Sequence, residues 1–114
     1  MREFEEWGES EKKKKLLRQC VEAIRKIEPS AKVILYGSRA TGKYSIDSDY
    51  DLLVLSDDNV NLKKEDIFRQ QLFPIELEEG CVVTVNVYNI NQWNTPLYQA
   101  MPFHQNVEKD GVVL

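Results

Sequence analysis

Cysteine and histidine are scarce in this chain of 114 residues, which contains two cysteines, Cys20 and Cys81, and one histidine, His104. The cysteines lie far apart, and neither has a second Cys or His at ligand spacing, so the sequence indicates neither a disulfide framework nor a zinc site. We expect both to be buried or half-buried thiols. His104 has no acidic partner at a spacing typical of catalysis, and we interpret it as an exposed or packed residue of the last helix.

Long apolar runs are also missing. No stretch approaches the roughly 20 consecutive apolar residues that a membrane-spanning helix needs. The first seven residues are acidic and polar, and they lack the basic and apolar regions of a secretory signal. These two absences predict a protein that has no transmembrane segment and stays in the cytoplasm.

A basic excess is missing as well, because 15 Lys and Arg residues face 19 Asp and Glu residues, for a net charge of -4. Binding to long nucleic acids depends on Lys and Arg side chains that neutralise phosphates. A small nucleotide or a protein partner is therefore favoured over nucleic acid. The lysine run at residues 12–15 has acidic neighbours, and we interpret it as the solvated face of a helix.

The length is that of one domain, which we expect to span residues 1–114. Apolar periodicity predicts a first helix, a strand that stops at Gly37, a second and nearly continuous apolar strand, a helix interrupted or kinked at Pro74, a β-branched third strand, and a final helix that ends at Gly111. The predicted helices are residues 10–27, 62–79 and the segment after Pro102, and the predicted strands are residues 32–36, 50–55 and 81–88.

Two short motifs flank the space between the first two predicted strands. Gly37 and Ser38 follow the first strand, and a glycine there allows the backbone to approach phosphates while the serine offers a hydroxyl and the next residues offer amides. Asp49 and Asp51 come where the second strand begins and point to one side, with Cα atoms about 6.5 to 7 Å apart. Two carboxylates suit Mg²⁺, which completes its coordination with water and phosphate oxygens.

Each motif alone is typical of an ordinary turn or solvated loop, but their combination around two apolar strands indicates a site for a nucleoside triphosphate and Mg²⁺. Arg39 and Lys43 lie in the same segment and could add positive charge near the phosphates. A carboxylate pair kept only as polar scaffold is the least favoured reading, because buried and unpaired carboxylates are costly.

The arrangement from Gly37-Ser38 to Asp49-Tyr50-Asp51 and the apolar residues after it resembles the signature of the DNA polymerase beta-like nucleotidyltransferase superfamily. Within that superfamily the chain looks most like the minimal nucleotidyltransferases, several of which act as antitoxins beside a helical HEPN-domain toxin, in some cases by adding AMP to it. The resemblance implies an α/β (α+β) fold, in which helices pack on a small mixed β-sheet.

The resemblance also implies roles for residues. Gly37 and Ser38 would lie at the triphosphate, and Asp49 and Asp51 would bind two Mg²⁺ ions, one activating the acceptor hydroxyl and the other stabilising the pyrophosphate. Active members usually carry a third carboxylate on the next strand of the sheet. Here Thr84 and Asn86 take the corresponding inward positions. Either could bind a metal-linked water, but neither can accept a proton at neutral pH.

Two hypotheses follow. The first is an enzyme that transfers a nucleoside monophosphate, AMP in the favoured case, from a triphosphate to a hydroxyl of a small molecule or protein. The second is a catalytically degenerate module that binds nucleotide and caps a helical HEPN-type partner in the manner of an antitoxin. A homo-oligomer could also complete the site, since the chain is too short to contain a separate acceptor-binding domain.

Overall fold

The computed structural model describes all 114 residues, as one five-stranded sheet with six α-helices and a short 3₁₀ helix at Phe4–Glu6. None of the helices combines the length and the apolar character needed to cross a membrane. The strands are β1 Arg2–Glu3, β2 Lys32–Tyr36, β3 Tyr50–Ser56, β4 Val83–Asn89 and β5 Val112–Val113. The helices are α1 Glu11–Ile27, α2 Ser38–Thr41, α3 Leu62–Glu79, α4 Ile90–Trp93, α5 Pro96–Gln99 and α6 Pro102–Asp110.

The sheet is mixed, with strand order β1-β5-β2-β3-β4. The two motif-bearing strands β2 and β3 are antiparallel neighbours, whereas β3 and β4 are parallel and joined by α3. This confirms the predicted class, a small mixed sheet with helices packed on it. The sequence reading omitted the two-residue strands β1 and β5, which pair parallel to each other, because two residues are too short to show a period-2 pattern.

The main core lies between the sheet and the two long helices. Helix α1 begins after Ser10, whose side chain accepts a hydrogen bond from the Lys13 amide, and it buries Leu17, Cys20 and Ile24 completely. From the sheet, Leu52 and Val54 of β3 enter the same core. Cys20 is buried and Cys81 half-buried, both as free thiols, as expected.

Helix α3 excludes the predicted interruption at Pro74. It runs without a break from Leu62 to Glu79 although Pro74 lies inside it. A proline removes one helix hydrogen bond and leaves the carbonyl four residues earlier without its partner. Both Pro74 and Gln70 are exposed, so water can satisfy that carbonyl. The helix ends at Gly80, which has a φ of 65° and a left-handed conformation, as its position in the sequence predicts.

The opposite face of the sheet is only partly covered. Helices α4 to α6 pack there in a small cluster in which Trp93 and Val107 contact Ile34, Leu53 and Leu55. His104 belongs to this layer, where it is buried and stacks on the Trp93 ring with centroids 4.2 Å apart. On the same face of β3, Asp51 precedes Leu53 and remains half-buried, so it lies at the edge of the covered area.

Candidate nucleotide and metal site

The glycine-bounded segment forms a tight turn followed by one helical turn. Gly37 follows the last residue of β2 with a φ of 75°, a conformation that side-chain-bearing residues rarely adopt. Its carbonyl accepts hydrogen bonds from the amides of Ala40 and Thr41, at 3.0 and 3.2 Å. The half-buried Ser38 therefore starts α2, and Gly42, with a φ of 81°, ends it.

Gly37 and Asp51 are in direct contact. The antiparallel register places Tyr36 opposite Asp51, which brings the start of the glycine turn beside this carboxylate. A Cβ atom added to Gly37 would lie 2.5 Å from Asp51 Oδ2, well inside van der Waals contact. The missing side chain therefore makes room for the carboxylate, and the two sequence motifs meet at this point.

Thr84 occupies the other side of Asp51. The parallel register pairs the two residues, and the Thr84 hydroxyl donates a hydrogen bond of 2.6 Å to Asp51 Oδ1. One carboxylate oxygen is thus bonded to β4, while Oδ2 lies against Gly37. Of the two candidates on β4, the structure brings Thr84, and not Asn86, into contact with Asp51.

Asn86 bonds instead to a residue that the motif did not include. Its side-chain amide donates a 2.7 Å hydrogen bond to the Tyr36 hydroxyl. Burial raises the pKa of Tyr36 above its ordinary value, the hydrogen bond from Asn86 opposes that change, and the Asp51 carboxylate adds to it. Tyr36 is therefore a neutral phenol at physiological pH, placed beside the carboxylate on the open face of the sheet.

Asp49 and Lys43 lie on the loop that joins α2 to β3, and the side chains of both are exposed. Asp49 is the last residue before β3 and takes part in no ion pair or side-chain hydrogen bond, which leaves its carboxylate free to take a ligand. The carboxylate position thus depends on how the loop, residues 43–49, is held.

Arg39 holds that loop from inside. Its side chain is only 6% exposed, and its guanidinium lies between the rings of Tyr44 and Tyr50, with centroids 4.3 and 4.4 Å away. Nε donates to the carbonyl of Ser48 at 3.1 Å and Nη2 to that of Ile46 at 3.3 Å. The sequence predicted that Arg39 is an exposed cation near the phosphates. The structure shows instead a buried side chain that binds Ser48, the residue before Asp49.

Tyr44 connects the same loop to the start of α1. Its hydroxyl accepts a hydrogen bond from Lys13 and donates one of 2.7 Å to Glu9. Burial acts to raise the pKa of Glu9, but the hydrogen bonds from Tyr44, the Ser10 amide and Lys13 together lower it. The hydrogen bond with Tyr44 raises the pKa of Lys13. Both groups are therefore charged at neutral pH and tie the loop to the helix.

Asp49, Asp51 and Ser38 carry oxygen atoms of the kind that a hard divalent cation binds. Carboxylates of Asp49 and Asp51 and the hydroxyl of Ser38 are the ligand types that Mg²⁺ prefers, and the space beside Gly37 adjoins Asp51 Oδ2. No group of three or more His, Cys, Asp or Glu residues is placed to hold a metal ion. With only two carboxylates, Mg²⁺ here would take most of its ligands from water and phosphate oxygens.

Sequence reasoning missed three tyrosines that shape the site. Tyr36 reaches Asn86 across two strand pairings, and Tyr44 and Tyr50 enclose Arg39. Tyr36 and Asp51 lie on the same face of the sheet because they are paired across β2 and β3, and this pairing could not be predicted from the alternation within either strand. Arg39, Tyr44 and Tyr50 lie close together in the sequence, but their spacing matches no known motif and so predicts no contact between them.

A mixed sheet in which β2 runs into a glycine turn and β3 contributes a carboxylate beside that turn is the nucleotidyltransferase fold. A comparison with protein families matches the nucleotidyltransferase domain over residues 17–111. The chain belongs to this family, whose general activity is nucleotidyl transfer. A search of curated proteins finds no match.

Proposed function

We propose that this protein is a Mg²⁺-dependent nucleotidyltransferase that transfers AMP from ATP to a hydroxyl of a small molecule or a partner protein. The observation that supports this most directly is the contact between Gly37 and Asp51 Oδ2. It brings a backbone turn able to approach phosphates against a carboxylate able to bind a cation. We place the activity in the cytoplasm, where free thiols such as Cys20 and Cys81 stay reduced.

Each residue of the proposed site has a role that follows from its position. Gly37 allows the triphosphate to approach the backbone, and the Ser38 hydroxyl donates a hydrogen bond to a phosphate oxygen. Asp49 and Asp51 hold Mg²⁺, which supplies positive charge to the phosphate oxygens and lowers the pKa of the acceptor hydroxyl when it is bound. Thr84 fixes the orientation of the Asp51 carboxylate through its hydrogen bond. A phosphate contact by Lys43 is part of the proposal, and Arg39 contributes by holding the Ser48 carbonyl next to Asp49.

In the proposed reaction the acceptor oxygen forms a bond to the α-phosphorus, and the bond from that phosphorus to the bridging oxygen breaks to release pyrophosphate. The acceptor proton passes to solvent, because Thr84 and Asn86 on β4 have no atom that is basic at neutral pH. This makes the transfer slower than in a member with a carboxylate on β4, since a positioned base contributes typically 10² to 10⁴-fold.

Titration of ATP by calorimetry, with and without Mg²⁺, tests the binding half of the proposal. We expect Mg²⁺-dependent binding that is lost in Asp49→Asn and Asp51→Asn. Asp47→Asn is the matched control, because Asp47 is an exposed carboxylate of the same loop and is not proposed to bind metal. Equal affinity in all four proteins would refute the carboxylate site.

Transfer is tested separately with ATP labelled on the α-phosphate. Label recovered on an added hydroxyl acceptor or protein, with stoichiometric pyrophosphate release, supports the enzyme. Mg²⁺-dependent binding without any label transfer would contradict it and support the second candidate function.

That second candidate is a nucleotide-binding module that acts on a helical partner protein without catalysis. The observation that favours it is Thr84, which donates to Asp51 at the position where active members place a carboxylate. For such a partner, α3 offers the apolar side chains of Phe73 and Leu77, which are 56% and 69% exposed. A gene for a small all-helical, HEPN-type protein beside this one would favour that partner.

The variant Thr84→Asp distinguishes the two candidates. It returns a carboxylate to β4 with little change in side-chain size, and we expect it to raise transfer at least tenfold if the missing acid is the limiting element. Asn86→Asp, two residues along the same strand, is the control and should raise it less. No gain in Thr84→Asp, with ATP binding retained, would favour the binding module.

A further inference from the structure

A cleft of about 540 Å³ lies on the other side of the sheet from Asp51. It opens between the start of α1, the end of α3 and the loop of residues 43–49. Tyr50 lines the cleft and belongs to the main core, whereas the next residue, Asp51, faces the opposite side of β3. The cleft therefore opens on the face of β3 opposite to Asp51, and its volume is within the usual range for small-molecule pockets.

The charges in this cleft favour an anion. Lys12, Lys13 and Arg39 line it, against a single carboxylate, that of the exposed Glu79. Glu9 pairs with Lys13 and offsets part of that charge, but Lys12 forms no ion pair. The positive side chains thus outnumber the acidic ones on the surface that a ligand would meet.

Arg39 adds an independent argument. Only 6% of Arg39 is exposed, yet its side chain forms no ion pair with any carboxylate. Two carbonyls and two aromatic rings surround it, and Nη1 makes no hydrogen bond. Nη1 is not buried from solvent, so an anion that enters the cleft can accept a charge-assisted hydrogen bond from it.

The apolar side chains that line the cleft indicate the chemistry of the uncharged part of the ligand. Leu16, Tyr44, Tyr50 and Ile46 line the same cleft, and Ile46 is 91% exposed at the surface. An apolar ligand body would cover these side chains while its charged group met the cations. We propose that this cleft binds a small organic anion, in which a phosphate, carboxylate or sulfonate group is attached to an apolar or aromatic body.

Phenyl phosphate titrated into ¹⁵N-labelled protein, without nucleotide or Mg²⁺, tests the site by amide chemical shifts. We expect saturable shifts at Ser45, Ile46, Gly80 and Cys81. Inorganic phosphate and benzyl alcohol, which carry the charge and the ring alone, should each bind at least about tenfold more weakly. Shifts confined to Gly37 and Ser38, or no saturable shifts, would overturn the proposal.

A matched pair of lysine variants assigns the binding to the cleft. Lys12 lines it, while Lys15 is exposed on the same helix but does not. Lys12→Gln should weaken phenyl phosphate binding about threefold to tenfold, and Lys15→Gln should leave it within about twofold. Equal effects of the two substitutions would mean that the anion responds only to overall charge, and would refute a specific site.

Discussion

At the scale of single residues, the contact between Gly37 and Asp51 restricts position 37 to glycine. Two conditions act on Gly37 together, a φ of 75° and the absence of space for a Cβ atom. Gly42 meets only the first, with a φ of 81° and no atom within 4 Å of an added Cβ. Substitution of the two glycines therefore distinguishes the effect of backbone strain from that of the contact with the carboxylate.

Gly37→Ala is expected to lower the free energy of unfolding by about 2 to 4 kcal/mol, because it adds a clash with Asp51 to the 1 to 3 kcal/mol of a strained backbone. Gly42→Ala should show only the strain. Denaturant titration of both variants measures the difference, and calorimetry with ATP and Mg²⁺ should show lost binding in Gly37→Ala alone. Equal destabilisation in the two variants would contradict a close contact at Gly37.

The residue scale also marks the limit of what the sequence could predict. Gly37, Ser38, Asp49 and Asp51 were predicted as site residues from their order and spacing, and the pairing of β2 with β3 brings Gly37 against Asp51. The contacts of Thr84, Asn86 and Tyr36 depend on strand register, which the sequence does not specify on a half-open face. The burial of Arg39 depends on two tyrosine side chains brought together only by the tertiary fold.

At the scale of elements, the loop before β3 is held by the buried Arg39 side chain. Arg39→Met should remove both carbonyl hydrogen bonds and the stacking, and free the loop of residues 43–49. We expect unfolding to become easier by about 2 to 3 kcal/mol and amide hydrogen exchange in the loop to accelerate. Lys43→Met, an exposed change in the same loop, is the control and should alter neither. Unchanged exchange in Arg39→Met would show that Arg39 does not order the loop.

A second junction joins three elements at the far end of the sheet. Glu28 caps α1, Ser56 ends β3, and Lys64 lies in the first turn of α3. Lys64 pairs with Glu28 and donates to the Ser56 hydroxyl at 2.8 Å, and the same hydroxyl donates to Glu28 at 2.8 Å. Glu28 Oε2 is buried without any partner, so the carboxylate depends on Lys64 for compensation.

Lys64→Met is therefore expected to destabilise the fold by about 3 kcal/mol, since it leaves a buried carboxylate unpaired. The double variant Glu28→Gln/Lys64→Met should recover part of that loss. Lys63→Met, one residue earlier and exposed, should change stability by less than about 0.5 kcal/mol. Thermal denaturation of the four proteins is the measurement, and a double variant no more stable than Lys64→Met would refute the pairing.

Element boundaries were predicted well where the pattern is long. The strand β2 and the helices α1 and α3 have the expected limits to within a residue, because apolar periodicity, Ser10 and Gly80 all indicate the same ends. Of the two alternatives predicted at Pro74, the break was wrong, since local chemistry alone cannot show that the freed carbonyl faces water, and the kink stays a prediction. The short helix α4 was missed because four residues have no helical period to read.

At the scale of the whole molecule, the main core makes stability depend on pH in the alkaline range. Burial raises the pKa of Cys20 from 9.0 to about 12. Between these values the unfolded chain has lost the proton and the folded chain keeps it, so the free energy of unfolding falls as pH rises. Burial also raises the pKa of Tyr50 in the same core, and its effect has the same sign.

The comparison of the native protein with Cys20→Ala isolates the cysteine. The variant should be less stable at pH 7 because a buried side chain is shortened, but its stability should fall less steeply between pH 9 and 11. We expect a slope difference on the order of 1 kcal/mol per pH unit, measured by urea denaturation. Parallel curves over this range would show that Cys20 does not ionise on unfolding.

The buried environment of Arg39 has a consequence for how this protein responds to ionic strength. Exposed ion pairs such as that of Arg18 with Glu11 weaken in salt because mobile ions screen them. Arg39 is held by carbonyl dipoles and ring faces inside the fold, where mobile ions have little access. The loop that carries Asp49 should therefore keep its geometry in concentrated salt, even as the protein's surface charges cease to interact.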